Sequence, residues 1–355
     1  MKPDKLVNVQ SILAWYDAHA RVMPWRVSPA DRSMGILPDP YQVWLSEVML
    51  QQTTVAAVKS YFVAFTNRWP RIEDLAAAKD EEVMAAWAGL GYYARARNLL
   101  RCARVVANEY DGIFPSREDE LLRLPGIGPY TAAAVAAIAF DQPATVLDGN
   151  VERVMSRVYA VLEPLPNSKE QLRSLARALT PKDRPGDYAQ AVMDLGATIC
   201  TPRNPNCTAC PWEKNCKANL ENIAHELPKK LPKRAKPTRY GHAFIMRDDT
   251  ARVIMERRAD KGLLGGMLGW PGNDWGEAQQ SAKPPMALNW ATAATTVIHV
   301  FTHFRLELTV HVASVGDDAP LLENFAWHDI SDVKGMPTVM QKAWKVATAE
   351  FGELP

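Results

Sequence analysis

The sequence predicts two domains of different class: an all-α domain over residues 1–225 and a smaller α/β domain over 240–355, joined by a linker over 226–239. Three observations indicate this. Alanine-rich segments with the helical period fill the first part of the chain, and segments with the two-residue period of strands fill the second. A basic stretch with two prolines separates them. A chain of 355 residues has room for two cores.

The first domain is expected to consist of helices punctuated by proline and glycine. Alanine-rich sequence with the helical period predicts helices over 41–65, 80–109, 130–140 and 168–179. Breaks are expected at Pro70, over 112–115 and over 125–129.

The second domain is expected to combine a sheet with a final helix. Residues 240–245 and 253–256 are predicted strands on either side of a turn at 247–249. β-Branched and aromatic residues alternate over 296–312, which indicates a long extended span. A helix is predicted over 338–351.

The linker prediction depends on composition. Residues 229–239 hold six basic side chains and two prolines but no acid, so they cannot form a core element. Contact with phosphate remains a second role for them. The formal net charge of +1 shows no basic excess over the whole chain, and no apolar run is long enough for a membrane span.

Four cysteines lie within residues 200–216, separated by six, two and five residues. Thiolates this close can bind one metal centre, and we expect no signal peptide that would deliver them to an oxidising compartment. Zinc and a [4Fe–4S] cluster both use such ligands. Only one C-x-x-C pair is present and the loop lacks histidine, which favours the cluster. The ligands would be Cys200, Cys207, Cys210 and Cys216, whereas Cys102 is expected in the core.

A glycine-rich turn, L-P-G-I-G-P-Y-T at 124–131, leads into an alanine-rich helix. Gly126 and Gly128 allow a sharp turn that leaves backbone amides uncovered, and the helix N-terminus adds partial positive charge. A plain connection between helices is one interpretation, and a site for one nucleic-acid phosphate is the other.

The turn belongs to a series of motifs. In chain order these are L-S-E-V-M-L-Q-Q-T at 45–53, G-L-G-Y-Y at 89–93, the turn at 124–131, V-L-D-G-N-V at 146–151 and the four-cysteine loop. Together they resemble the endonuclease III superfamily, and within it the MutY-type adenine DNA glycosylases. The resemblance implies a helix-hairpin-helix fold, one [4Fe–4S] cluster, and removal of adenine mispaired with 8-oxoguanine or guanine in duplex DNA.

Cleavage of an N-glycosidic bond needs an acid for the departing base and an anion for the sugar cation. Glu47 has apolar neighbours at helical spacing, so burial should raise its pKa. The resemblance makes Glu47 the acid that protonates adenine at N7. Asp148 is expected to cap a helix, and the resemblance adds stabilisation of the sugar cation and activation of water. By the same resemblance, Asn150 orients the site.

Tyr130 separates two branches of the superfamily. The strand-cleaving branch has a lysine at this position, which forms a Schiff base with the deoxyribose. Tyrosine cannot form that adduct, so a monofunctional hydrolase is predicted. The resemblance further implies contact between Tyr130 and Asp148.

The target adenine has to leave the base stack, which requires residues that fill the duplex and residues that receive the base. By resemblance, Gln52 and Thr53 fill the duplex, and Tyr92 intercalates, with Leu90 a lesser candidate. For Tyr92 and Leu90, a role in the core is the alternative. The expected adenine pocket contains Trp25, Arg26 and Asp194. The segment 27–39 is longer than the family pattern and is expected to affect the pocket entrance.

The second domain resembles a Nudix fold. Thr302 and His303, in V-F-T-H-F at 300–304, correspond to the family loop that recognises 8-oxoguanine; a solvated strand face is the alternative. The glutamate cluster with which Nudix hydrolases bind magnesium is missing after G-G-M-L-G-W-P-G at 265–272. Recognition without hydrolysis is therefore expected.

Three other functions are disfavoured: a glycosylase that also cleaves the strand, a nucleotide-pool hydrolase, and a DNA-damage binding protein without activity. Tyr130 argues against the first, the missing glutamates against the second, and Glu47 with Asp148 against the third. We expect a monomer that binds double-stranded DNA and no membrane, in the bacterial cytoplasm with the nucleoid.

Overall fold

The computed structural model describes residues 6–232, 235–259, 262–316 and 321–351. The chain divides into two compact units, 1–232 and 233–355. Across the described ranges, no helix has the length and apolar character needed to cross a bilayer.

The first unit is all-α, as predicted. Its helices are α1 (Val9–His19), α2 (Pro29–Ser33), α3 (Pro40–Leu50), α4 (Val55–Arg68), α5 (Ile72–Ala77), α6 (Asp80–Ala86), α7 (Ala94–Glu109), α8 (Glu118–Leu121), α9 (Pro129–Phe140), α10 (Gly149–Val158), α11 (Lys169–Leu179), α12 (Pro185–Thr198) and α13 (Lys217–Leu220). Short 3₁₀ turns at Cys207–Ala209, Glu213–Asn215 and Ala224–Glu226 carry the chain through and beyond the cysteine loop.

Two of the predicted helices are each broken into two. The segment 41–65 forms α3 and α4 because Gln52 adopts a left-handed backbone with φ of 58° and Thr54 caps α4. The segment 80–109 forms α6 and α7, since Gly89 and Gly91 have positive φ values of 100° and 69° between them. The first break borders the cavity described below.

Two hydrophobic cores hold the helices together. Helices α3 to α9 surround the first core, and α1, α10, α11 and α12 surround the second. Helix α9 is buried on every side over residues 131–138, and its run of alanines allows this close packing. Helices α3 and α9 of the first core lie beside α10 and α12 of the second, and residues far apart in sequence meet there.

The predicted free linker over 226–239 is wrong at both ends. Leu227 is buried, and the backbone of Leu165 pairs with Lys229 and Leu231, so the first residues belong to the helical unit. At the other end, β1 already begins at Thr238. Lys233 and Arg234 lie outside the described residues.

The second unit is a sheet covered by one long helix. The strands are β1 (Thr238–Arg247), β2 (Val253–Arg257), β3 (Leu268–Gly269), β4 (Ala291–Thr292), β5 (Val297–Val300), β6 (Arg305–Ser314) and β7 (Phe325–His328). The main path runs β3-β2-β1-β6-β4, while β5 pairs with β6 and β7 with β2. Helix α14 (Thr338–Phe351) agrees with its prediction and packs through Val339, Met340 and Ala343 into the core.

The centre of this sheet is a parallel pair, β1 and β6, aligned from Thr238 opposite Arg305 to Arg247 opposite Ser314. The predicted extended span over 296–312 is instead two antiparallel strands, β5 and β6. The hairpin turn between them carries the residues predicted to read the lesion.

Candidate active site

A cavity of about 820 Å³ in the helical unit collects residues from α3, α9, α12 and the start of α10. Most of the predicted site residues line it, although they span 170 positions of sequence. They are Trp25, Arg26, Glu47, Gln52, Thr53, Gly126, Gly128, Tyr130, Asp148, Asn150 and Asp194.

Glu47 is a buried carboxyl group on α3, with 6% of its surface exposed. Burial raises its pKa to about 6; the hydrogen bond from Tyr130 and the charge of Arg26 oppose this rise, while Asp148 adds to it. The predicted increase in pKa is thus present, and desolvation is its main cause. With this pKa, about half of the molecules carry a proton on Glu47 at pH 6 and roughly a tenth at pH 7.

The Tyr130 hydroxyl, on α9, donates a hydrogen bond of 2.7 Å to Oε2 of Glu47. The expected partner was Asp148, so the structure corrects this assignment. Burial and the neighbouring carboxylates raise the pKa of Tyr130 well above its usual value, which keeps the hydroxyl protonated as a donor. The bond occupies Oε2 of Glu47 and leaves Oε1 for another partner.

Asp148 caps α10, as predicted. Its Oδ1 accepts hydrogen bonds from the backbone amides of Asn150 at 2.9 Å and Val151 at 2.7 Å. Its Oδ2 accepts one of 2.7 Å from the side chain of Asn150. These bonds and the helix dipole stabilise a carboxylate anion at the cavity wall.

Asn150 is held in turn by an arginine that the sequence interpretation did not identify. Arg153 Nη2 donates to Asn150 Oδ1 at 2.9 Å and to the Gly196 carbonyl at 2.6 Å. Arg153 Nε donates to the Cys200 carbonyl at 2.8 Å. A continuous series of hydrogen bonds therefore joins Asp148 to the first residue of the cysteine loop.

The predicted adenine pocket is an ion pair beside an aromatic wall. Arg26 Nη1 lies 2.7 Å from Oδ2 of Asp194, which is fully buried. The other carboxylate oxygen, Oδ1, has no hydrogen-bond partner, although Arg21 lies 3.5 Å away. Trp25 packs edge-on against Phe62 and faces the same cavity.

Each of the two loops that were predicted to enter the duplex has an exposed residue at its tip, Gln52 in one and Tyr92 in the other. Gln52 and Thr53 line the cavity at the end of α3. Tyr92 is half exposed and has a left-handed backbone with φ of 49°. Leu90 is only 5% exposed and packs in the first core, so its interpretation as a wedge is wrong for this conformation. The alternative core role applies to it.

The glycine-rich turn keeps its backbone donors available. Gly126 has a φ of 75°, and an added Cβ would lie 2.6 Å from Cβ of Asn98, so only glycine fits. Gly128 stands at the N-cap of α9 and supplies no side-chain cap. Because Pro129 at the first position has no N–H, the uncapped donors that this end of α9 offers to an anion are the amides of Tyr130 and Thr131.

The long segment 27–39 is anchored to the helical unit. It contains the short helix α2, whose Arg32 pairs with Asp141 and lies 3.5 Å from Asp187. Arg32 also donates to the Ile138 carbonyl, and Ile138 is part of the cavity wall. The segment supports the back of the cavity.

The four cysteines form no disulfide, and their side chains line one small cavity with Arg157. Arg157 is a buried cation, and its Nη1 lies 3.2 Å from Sγ of Cys200. Nowhere in the described ranges does it pair with a carboxylate. Likewise, no three His, Cys, Asp or Glu side chains within those ranges converge on a single metal ion.

The predicted lesion-reading residues lie in the second unit. Thr302 and His303 are exposed at the turn between β5 and β6. Below them, Phe301 and Phe304 stack with ring centroids 4.8 Å apart, and the Phe301 amide donates to the Phe304 carbonyl. The turn therefore presents polar side chains on a rigid aromatic base.

Comparison with known proteins agrees with both units. A family model described as HhH-GPD superfamily base excision DNA repair protein matches residues 45–182, and a NUDIX domain model matches residues 242–346. The solved structure of a thermostable thymine-DNA glycosylase matches with a TM-score of 0.52 and 32% identity, covering 60% of this chain and 95% of that chain.

Relatives are similar over nearly the whole chain. The adenine DNA glycosylase of Homo sapiens is 35% identical, over 88% of this chain and 67% of the human protein. That of Rattus norvegicus is 32% identical, over 95% of this chain and 77% of the rat protein. The chain therefore belongs to the adenine DNA glycosylases of base excision repair, hydrolases that carry an HhH-GPD domain and a NUDIX domain.

Proposed function

We propose that this glycosylase removes adenine paired with 8-oxoguanine or guanine in duplex DNA, by hydrolysis alone and without cleaving the strand. The observation that carries the proposal is the cavity in which Glu47 and Asp148 occupy different environments beside Tyr130. Glu47 is buried and inclined to be protonated, whereas Asp148 accepts three hydrogen bonds and lies at a helix N-terminus. These different environments suit Glu47 to act as a proton donor and Asp148 to act as an anion.

The reaction then needs only these groups and water. Glu47 gives its proton to N7 of adenine as the C1′–N9 bond breaks and its electrons leave with the base. Asp148 stabilises the resulting sugar cation and takes a proton from the water that attacks C1′. The products are free adenine and an abasic site. Tyr130 has no amine with which to form a Schiff base, so this position supplies no route to strand cleavage.

Asp194 suits recognition of the base. Asp194 lines the cavity, and its buried Oδ1 has no hydrogen-bond partner, with Arg21 as its neighbour at 3.5 Å. A buried acceptor of this kind is costly unless a ligand satisfies it. The exocyclic amino group of adenine is a donor of the required type, and the Trp25 ring offers an apolar surface beside it.

The base opposite adenine would be read by the second unit. Thr302 and His303 supply hydrogen-bonding groups at the exposed turn between β5 and β6. No helix follows β3 before β4, and Glu277 is the only glutamate in this stretch. A magnesium-dependent hydrolase needs several clustered carboxylates, and this stretch holds only Asp274 and Glu277, so we assign the unit a reading role.

The experiment that tests the proposed function is single-turnover cleavage of a duplex with one A:8-oxoguanine pair, analysed with and without hot alkali. We expect strand breaks only after alkali treatment, because the product is an intact strand with an abasic site. The matched duplexes carry A:G and A:T. Equal breakage without alkali would show a lyase, and equal rates on all three duplexes would refute the mispair preference.

The rate should also depend on pH through Glu47. We expect the single-turnover rate constant to fall as the pH rises through about 6, because the acid loses its proton. Tyr130→Phe removes a hydrogen bond that lowers this pKa, so the fall should move to higher pH. Rate profiles of both proteins test the direction; a shift to lower pH in the variant would contradict it.

The cysteine loop fits a [4Fe–4S] cluster held by Cys200, Cys207, Cys210 and Cys216. The four thiols line one cavity, and thiolates are the ligands that such a cluster takes. The buried charge of Arg157 beside Cys200 calls for a negative partner, which thiolate ligands supply. The bound cluster would provide cross-links between distant parts of the loop.

Loss of one cysteine ligand should therefore disrupt the folding of the loop and weaken DNA binding more than it slows adenine release. We expect Cys207→Ser to lower the affinity for lesion duplex by about tenfold or more and to abolish visible absorption of the purified protein. Cys102→Ser is the matched control, since Cys102 is buried in the other core. Lesion binding and absorption that match those of the parent would contradict the cluster assignment.

Two further properties are proposals from the same reading. The enzyme would act as a monomer on double-stranded DNA, with the basic residues of 229–239 contacting phosphates. It would work in the bacterial cytoplasm at the nucleoid. Light scattering of the free protein and imaging of a fluorescent fusion test these two statements.

A further inference from the structure

Arg95, the second residue of α7, directs its guanidinium group at the end of α3. Its Nη1 donates to the carbonyls of Val48 at 3.0 Å, Met49 at 3.0 Å and Gln51 at 2.6 Å. These are carbonyl groups that a helix leaves unpaired where it ends. The loop that carries Gln52 thus begins at a fixed point.

The same guanidinium group reaches the loop between α6 and α7. Its Nη2 donates to the carbonyls of Leu90 at 3.0 Å and Gly91 at 3.1 Å, and to the Thr53 hydroxyl at 3.2 Å. Its plane also lies over the rings of Trp87 and Tyr92, 5.2 and 5.6 Å from their centroids. One side chain thereby holds two loops that are 40 residues apart in sequence.

Both loops need such a constraint, because each holds a strained residue at its tip. Gln52 and Tyr92 have φ values of 58° and 49°, in the left-handed region that side chains with a Cβ avoid. Strain of this kind persists only where surrounding contacts determine the conformation. Arg95 bonds the residues on both sides of Gln52 and, before Tyr92, the Leu90 and Gly91 carbonyls.

We infer that Arg95 is a positioning residue that locks the Gln52 and Tyr92 loops into one rigid unit and so sets the preference for lesion duplex over normal duplex. The inference rests on the proposed function, because it assigns both loops to the DNA. Arg95 itself touches neither Glu47 nor Asp148. Its effect lies in keeping one loop from moving without the other.

A lysine cannot replace this arrangement. Arginine offers a planar fork of donors that bonds carbonyls in several directions and stacks on aromatic rings, whereas lysine has one compact ammonium group. Arg95→Lys keeps the charge but cannot span both loops. The variant therefore separates position from charge.

The test is the affinity for two duplexes, one with A:8-oxoguanine and one with A:T at the same position. It is measured on a Glu47→Gln background so that the base stays in place. We expect Arg95→Lys to reduce the ratio of the affinity for the A:8-oxoguanine duplex to that for the A:T duplex by about tenfold. This is the effect expected from the loss of roughly two hydrogen bonds. Arg104→Lys is the matched control: Arg104 lies on the same helix and caps α5 through the Ala76 and Ala78 carbonyls.

The outcomes distinguish this inference from the function on which it rests. A parent protein with no preference for the lesion duplex refutes the proposed function. A parent with the preference, together with an Arg95→Lys variant that keeps it, refutes the role of Arg95. If Arg104→Lys reduces the preference for lesion duplex as much as Arg95→Lys does, the effect comes from a general loss of stability, and the positioning role of Arg95 is also refuted.

A second measurement needs no change at Arg95. In a double-mutant cycle, Gln52→Ala and Tyr92→Leu are made singly and together, and the affinity for lesion duplex is compared. If the loops are locked together, the loss of affinity in the double variant should differ by about threefold or more from the product of the losses in the two single variants. Independent losses would overturn the inference.

Discussion

Glu47→Gln is expected to lower the single-turnover rate of adenine release by about a thousandfold, which is the scale of a general acid's contribution. Glutamine has nearly the same shape and still accepts the hydrogen bond from Tyr130, but it has no proton to donate. The affinity for A:8-oxoguanine duplex should stay within about threefold, since the cavity keeps its lining. Gel-shift titration and single-turnover kinetics on the same preparation measure both. Rapid excision by the variant would remove Glu47 from the role of acid.

The same variant has a stability signature that an exposed glutamate lacks. The folded-state pKa of Glu47, about 6, lies above the ordinary value of 4.5. Its stabilising protonated form is therefore fully present below 4.5 and is lost as the pH rises through about 6. As the pH rises through this window, the free energy of unfolding of Glu47→Gln should increase by about 2 kcal/mol relative to that of the wild type. Glu109→Gln, at an exposed site, should show no such change in thermal unfolding.

Asp148→Asn should reduce the rate of adenine release by about a hundredfold to a thousandfold, because the sugar cation loses its anion. Asparagine caps helices as well as aspartate does, so α10 should still form. The bond from Asn150 to Oδ2 is the one interaction that the new amide cannot accept in the same orientation. Single-turnover kinetics at saturating enzyme measure the loss.

The matched control for this substitution is Asp39→Asn. Asp39 caps α3 through the Tyr41 amide and does not line the cavity. It therefore repeats the change at a helix cap without the change in the site's charge. A similar loss of rate in both variants would make Asp148 only a cap, whereas an unaffected Asp39→Asn protein would locate the effect in the chemistry.

The sequence predicted the parts of the structure that local pattern determines. Helix α14 and the buried α9 follow from periodicity, and the cap at Asp148 follows from aspartate at the start of a helix. The burial of Glu47 followed from its apolar neighbours along one helix. Residues of the cavity were identified mainly because their motifs resemble those of a family.

Interactions of side chains with distant backbone carbonyls could not be predicted in this way. Arg95, Arg153 and Arg157 bond carbonyls that lie from four to seventy residues away. The spacing of apolar residues along a helix does not show whether an arginine bonds distant carbonyl groups or is exposed to solvent. The hydrogen bond of Tyr130 to Glu47 and the burial of Leu90 likewise depend on how helices pack, which motif order does not specify.

The series of hydrogen bonds from Asp148 through Asn150 and Arg153 to the Cys200 carbonyl has a consequence for how activity is measured. A molecule whose cysteine loop is disordered loses the Cys200 carbonyl from this series and, as expected for Cys207→Ser, binds lesion duplex weakly, so it contributes little product. A mixed preparation should therefore show a smaller burst of product with an unchanged rate constant. The burst amplitude then counts the molecules whose loop is intact, and specific activity without that titration underestimates the enzyme.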